Sequence, residues 1–239
     1  MPRSLNAKSG RGPNDQFAKF VSSLPRADKI LGLTHITSSY ALRDVVNSGK
    51  IQALEPCKVL GEDVIYAFYG RAAFRSSHDI IPTALSSLFP SVLILDPASI
   101  PPPKYVFGFD SGAFMNGALD QYLHPYMPLF DFLLAPDLIS VAKLIKAVFL
   151  NNEDFFNNIP SPSFTVPAAN FEAESYKSII SSGGQGNVRL DDRISTPEII
   201  FSDPIDLRRS VRAAVLPDSI AAEPTIGGVL RSYGITVVD

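Results

Sequence analysis

Three groups of residues, far apart in the chain, carry side chains suited to chemistry. The first is His35 with Thr37 in "LTHITSSYALRDVVNSGKI", residues 33–51, where an apolar β-like run gives way to a helix-like one. Strand residues i and i+2 share a face, so imidazole and hydroxyl stand side by side there. Either they satisfy each other in the core or they bind a ligand. The second is "FYGRAAFR", residues 68–75, where Tyr69, Arg71 and Arg75 flank a glycine. A tyrosine ring can stack on a planar group, and a guanidinium can pair with phosphate or carboxylate; the bland alternative is a core tyrosine with surface arginines. The third is Glu198, at the head of "EIIF" and preceded by the Gly-rich "SSGGQGNVRLDDR". A carboxylate that opens an apolar strand is costly to desolvate without partners, unless it lies on a solvated face.

The segments that would position these residues read as a mixture of helix and strand. Phe17, Phe20, Val21 and Leu24 fall at helical spacing. A strand is expected over 30–36, then a helix that starts at Ser38 or Ser39, buries Leu42, Val45 and Val46, and stops at Gly49. Further strands are expected over 64–69, 91–95 and 104–109, around Glu198, over "VRAAVLPD" and at the end of the chain. Helices are expected over 138–149 and 175–181, with 114–126 loop-like or weakly helical and the Pro-broken 157–171 a loop. Pro197 marks the Glu198 strand as an edge or as irregularly approached. One early helix between strands, followed by many short strands, favours α+β over a doubly wound sheet.

Residues 1–14 contain Arg3, Lys8 and Arg11 and no acid; they read as a disordered tail before a single domain over 15–239. The formal net charge of −3 gives no general drive towards nucleic acid or anionic membrane. The single cysteine, Cys57, excludes an internal disulfide and fits a reducing, cytoplasmic setting. No secretory signal is recognised at the start. The richest apolar stretch, 130–150, is interrupted by Asp131, Asp137, Lys143 and Lys146, too often to cross a bilayer. His35, His78 and His124 lack zinc-site spacing, "GGQGNVR" is neither GxGxxG nor a P-loop, and no GxSxG is present. Metal-dependent hydrolysis and hydrolytic triads are therefore poorly supported.

Taken in order, His-x-Thr before a helix, a strand followed by Tyr-Gly-Arg, and a late strand-borne glutamate resemble the NAD-dependent ADP-ribosyltransferase family. The likeness is to its His–Tyr–Glu branch and, more narrowly, to the DarT-like bacterial toxins that modify nucleic acid. It covers about half the chain, chiefly "LTHITSSYALRDVVNSGKI" and "DRISTPEIIFSDPIDL" with the strand beyond. The resemblance implies ADP-ribosyltransferase-like split β-sheets with flanking helices, and NAD as co-substrate. His35 would bond an NAD ribose hydroxyl and Thr37 would help to position the nucleotide. Tyr69 would stack on nicotinamide, with Tyr66 the rival because the register of "VIYAFY" is open. Arg71 would contact the pyrophosphate or the acceptor, and Glu198 would stabilise the cationic sugar as nicotinamide leaves. Arg193 and Thr196 would face the acceptor. Arginine-modifying members carry Glu or Gln where Thr196 stands, so arginine is disfavoured as acceptor. Arg189, Arg193, Arg208, Arg209 and Arg212 suggest a local basic surface for nucleic acid. A toxin or defence effector with an antitoxin or regulatory partner would fit this reading. The competing readings are an RNA 2′-phosphotransferase and a catalytically inactive nucleotide- or protein-binding domain of the same fold.

Overall fold

The computed structural model describes residues 4–5, 14–27, 29–73, 84–182 and 192–239, with Asp192 and Arg193 described by their backbone alone. The chain is α+β. Its strands are β1 (Leu33–Ser38), β2 (Lys50–Ile51), β3 (Ile65–Tyr69), β4 (Pro90–Leu95), β5 (Tyr105–Phe107), β6 (Glu198–Phe201), β7 (Ile205–Asp206), β8 (Val211–Val215) and β9 (Thr236–Val238). Seven of them form one sheet in the order β5-β6-β3-β1-β4-β8-β9, antiparallel except for the β8–β9 pair; β2 and β7 form a separate small sheet. The helices are α1 (Gln16–Ser23), α2 (Ser39–Ser48), α3 (Ser111–Met115), α4 (Leu138–Phe149), α5 (Asn152–Phe156), α6 (Phe171–Ser182), α7 (Leu207–Ser210), α8 (Asp218–Ala221) and α9 (Val229–Ser232). None is long and apolar enough to cross a membrane among the described residues.

Helix α2 follows β1 without a loop because its ends are written into the sequence. The Ser38 hydroxyl accepts the Ala41 amide at 3.2 Å, and Gly49 takes φ 70°, the left-handed conformation that ends a helix cheaply only for glycine. Leu42 and Val46 are buried as expected, while Val45 is only half-buried. Helix α4 buries apolar residues almost all round, and an aromatic cluster links α1 to the segment before it, with the Phe17 and Phe132 rings 5.7 Å apart. At the end of β5, a side chain on Gly108 would lie 2.8 Å from the Tyr176 ring of α6, so only glycine permits that approach.

Several expectations need correction. The first strand begins at Leu33, not Ile30, the 104–109 strand shortens to three residues, and the 175–181 helix starts earlier, at Phe171. A helical turn, α3, starts just ahead of the region read as loop-like or weakly helical and overlaps its first residues, capped by the Asp110 carboxylate on the Ala113 amide. Strand β6 is not an edge, since β5 and β3 flank it, so Pro197 marks an irregular approach to an interior strand. Most of the expected tail lies outside the described residues; where it is described, the Ser4 and Leu5 carbonyls accept the Leu129 and Phe130 amides at 2.9 and 3.0 Å. Arg75, His78, Arg189, the Gly-rich loop over 183–191 and the Arg193 side chain also lie outside the described residues.

Candidate active site

The strand register decides which side chains can act together. Glu198 pairs with Phe68 of β3 on one side and with Phe107 of β5 on the other. Directly opposed residues share a face, and alternate residues do too, so Glu198, Phe68 and Tyr66 lie on one face of the sheet. Tyr66 is the diagonal neighbour of Glu198, at a backbone separation of roughly 7–8 Å. Tyr69 lies on the opposite face. It is 1 % exposed, its hydroxyl accepts the Leu31 amide at 3.0 Å, and its ring packs on Phe155. Tyr69 is a core residue, and the aromatic residue on the glutamate's face is its rival, Tyr66.

Strand β1 pairs with β4 along its whole length, from Leu33–Leu95 to Ser38–Pro90. Its pairing with β3 stops after Leu33–Tyr69 and Thr34–Phe68. Beyond that point the seam opens and His35 fills it, with Nδ1 2.8 Å from the Tyr66 carbonyl. A carbonyl only accepts, so Nδ1 carries the proton and, in the neutral ring, Nε2 is an acceptor. Burial pulls the His35 pKa below its ordinary value, with the Tyr66 carbonyl opposing the shift in part, and this favours the neutral ring. His35, Thr37 and Tyr66 line one cavity of about 220 Å³, closed by α2 and by residues 50–55.

The Tyr66 phenol is anchored on its far side. Its hydroxyl donates to the Cys57 sulfur, which also accepts the Val59 and Leu60 amides at 3.2 Å. The tight loop that carries Cys57 is fastened to β5 by the Glu62 carboxylate, which accepts the Tyr105 hydroxyl at 3.0 Å and pairs with Lys104. Burial, foremost, and then the bond to Cys57 raise the Tyr66 pKa, with smaller contributions from the charges of Glu198 and Asp110. Tyr66 lies between His35 and Glu198: its carbonyl bonds His35, and its side chain is on the face of Glu198, which does not itself line the His35 cavity.

Glu198 is 2 % exposed, and its Oε2 accepts the Ser111 amide at 3.0 Å, so the first turn of α3 fixes the carboxylate's orientation. The Ser111 hydroxyl beside it is buried without a hydrogen bond. Sequence reasoning passed over Asp110 and Ser111. The signal was present in "FDSGAF", an Asp N-cap at the end of a short strand.

Arg71 spends its donors within the protein. Its Nε donates to the Thr196 hydroxyl at 2.8 Å, its Nη1 to the Phe155 carbonyl at 2.8 Å, and its Nη2 to the Ser195 carbonyl at 3.0 Å and the Ser195 hydroxyl. The guanidinium also lies 4.6 Å from the centre of the Phe155 ring. Thr196 is 0 % exposed, with its hydroxyl taken by the Arg71 Nε. Of the arginines expected to form a basic surface, Arg189 and the Arg193 side chain lie outside the described residues, and two others have partners within the protein. Arg212 pairs with Asp96 at 2.6 Å and Arg208 lies 4.0 Å over the Tyr233 ring. Strand β8, which carries Arg212, is separated from β6 by three strands, roughly 19 Å at ordinary strand spacing. No group of His, Cys, Asp and Glu that could hold a metal occurs among the described residues. No family model matches the chain, and no curated protein matches it significantly.

Proposed function

We propose that this protein is an ADP-ribosyltransferase that cleaves NAD and passes ADP-ribose to a macromolecular acceptor. The observation that carries the proposal is the pairing of a buried, oriented carboxylate with an opened seam. Glu198 and Tyr66 share a face, and β1 parts from β3 at His35, on the other side of Tyr66. The split sheets expected from the resemblance are here one seven-stranded sheet, in which β1 and β3 stay paired at Leu33–Tyr69 and Thr34–Phe68 and part only beyond.

The residues present suit NAD. Neutral His35 offers Nε2 as an acceptor for a ribose hydroxyl, Thr37 adds a hydroxyl to the same cavity, and the half-buried Tyr66 ring gives a surface on which nicotinamide stacks. NAD supplies the bond to be broken. The C1′–nicotinamide bond breaks with its electron pair leaving on nicotinamide, and the sugar becomes cationic. Glu198, fixed by the Ser111 amide and shielded from water, stabilises that charge more strongly than a solvated carboxylate could. The acceptor nucleophile then bonds C1′ and releases its proton. No acidic or amide side chain stands two residues before Glu198 to guide a guanidine, because Thr196 is there and is bonded to Arg71. This favours an acceptor other than arginine, with nucleic acid first in order of test.

The test is incubation with NAD labelled on the adenosine, together with DNA, RNA or cell extract, with nicotinamide release measured in parallel. Label on nuclease-sensitive material that is lost in Glu198→Gln is the expected result. Absence of both nicotinamide release and NAD binding in the parent protein rejects the proposal.

A further inference from the structure

The geometry points to Arg71 as a positioning residue that sets Glu198 through the segment before it, and not as a nucleotide-binding arginine. The inference rests on the transferase reading above. Arg71 follows β3 directly, while Ser195 and Thr196 lead into β6 through Pro197. A proline cannot donate to a ladder, and the segment carrying the carboxylate must therefore be held by other bonds. The Pro197 carbonyl accepts the Tyr69 amide at 3.0 Å, and the Arg71 fork takes the next two residues upstream, Thr196 by its hydroxyl and Ser195 by both its carbonyl and its hydroxyl.

The other side of the guanidinium is pinned to α5 and the turn after it, through the Phe155 carbonyl, the Phe155 ring and the Asn158 side chain at 3.4 Å. The clamp thus ties three parts of the chain that are distant in sequence. Arg71 to Thr196 spans 125 residues and Arg71 to Phe155 spans 84. A planar fork with fixed donor directions suits this task, and an ammonium does not. To bind a pyrophosphate the same donors would have to leave partly buried acceptors unsatisfied, at a cost that opposes binding.

A double-mutant cycle on Arg71→Lys and Thr196→Val tests the inference. Lysine keeps the charge and loses the fork; valine keeps the shape of Thr196 and loses the acceptor. NAD affinity is measured by calorimetry, kcat and KM by nicotinamide release, and exchange protection is followed at the Ile199 and Ile200 amides. A positioning role predicts that Arg71→Lys lowers kcat by about a hundredfold, as a small misplacement of a catalytic group does. KM and Kd for NAD should stay within about threefold. Thr196→Val should lower kcat by about tenfold, for loss of one charge-assisted bond. The double variant should be no worse than Arg71→Lys alone, because both changes break one interaction. Both single variants should also lose protection at Ile199 and Ile200. Arg71→Lys that raises Kd for NAD tenfold or more with kcat unchanged overturns the inference, as does additivity in the cycle or unchanged protection. A parent protein that neither binds NAD nor releases nicotinamide rejects the transferase reading instead, and the exchange data then still report whether the clamp holds β6.

Discussion

Strand β1 has two neighbours and meets them differently. Along β4 the ladder runs without interruption from Leu33 to Ser38, with Leu93 and Leu95 fully buried in it. Along β3 it runs for two residues and opens. On the closed side, backbone groups satisfy each other and the strand does nothing but hold the core. On the open side, the Tyr66 carbonyl has lost its strand partner, and a histidine side chain takes the place of the missing amide. A sheet that stops pairing in its middle leaves polar groups that need partners, and side chains and ligands can supply them. Under the transferase proposal, chemistry falls to one edge of β1 and stability to the other.

The sharpest way to break this contrast is to neutralise the charge on the open side. Glu198→Gln keeps the shape of the side chain and its bond to the Ser111 amide, and removes the charge needed as the sugar becomes cationic. Nicotinamide release should fall on the order of a thousandfold, with NAD affinity and the melting curve little changed. A turnover within a few-fold of the parent would exclude Glu198 from the reaction.

The two tyrosines of β3 sharpen the contrast within a single strand. Tyr69 faces the core, and Tyr66 is on the face of Glu198 and lines the cavity. Tyr69→Ala should cost about 3–5 kcal/mol of stability by urea denaturation, with its effect on NAD affinity confined to the loss of folded protein. Tyr66→Ala should instead weaken NAD binding by about tenfold, the scale of one lost stacking contact, at a smaller cost in stability. If calorimetry finds the reverse pattern, the faces have been assigned wrongly and the stacking role belongs elsewhere.

The closed side supplies the matching control. Leu95 sits opposite Leu33 across the β1–β4 ladder, two residues away from the His35 pair, and is fully buried. Leu95→Ala should cost about 2–4 kcal/mol in urea denaturation. NAD affinity of the folded fraction should be unchanged, because the ligand is expected on the other side of β1. A parallel loss of affinity would mean that the two edges are coupled and that the division of labour is too simple.

Local chemistry made much of this legible in the sequence. Ser38 and Gly49 bound α2 because capping depends on a few adjacent residues. The 138–149 helix was read to the residue, since Asp137 caps a long apolar run. The head of the Glu198 strand could likewise be read from "PEIIF". Pairing could not. Tyr66 and Tyr69 are three residues apart, so a strand puts them on opposite faces, and only the register against β6 tells which one meets the glutamate. The acceptors of Arg71 lie 84 to 125 residues away, beyond the reach of any spacing rule. The arginines at 208–212 are close to Glu198 in sequence, but three strands separate β6 from β8 in the sheet.

The smallest expected effect is also the one with a definite sign. Burial holds the His35 pKa below its ordinary value of 6.5, so the folded state takes up a proton at lower pH than the unfolded chain does. Above pH 6.5 both states are neutral at this position and it contributes no pH dependence. As pH falls below 6.5 the unfolded chain binds the proton first, and stability falls by at most about 1.4 kcal/mol per pH unit for one group. The fall stops once pH passes below the lowered pKa of the folded state. Asp44, Lys50 and Glu55 line the same cavity, and carboxylates elsewhere titrate at the lower end of this range. The difference between the parent and His35→Gln therefore isolates the histidine better than the parent curve does. That difference should be flat above pH 6.5 and should shift in favour of the glutamine variant as pH falls towards 5. NAD affinity should follow a different curve, level through 6.5 and falling only when the folded imidazole charges, because Nε2 then carries a proton and can no longer accept the ribose hydroxyl. An affinity that rises on acidification would show that the ring acts as a charged donor and that the open edge of β1 holds phosphate instead of ribose.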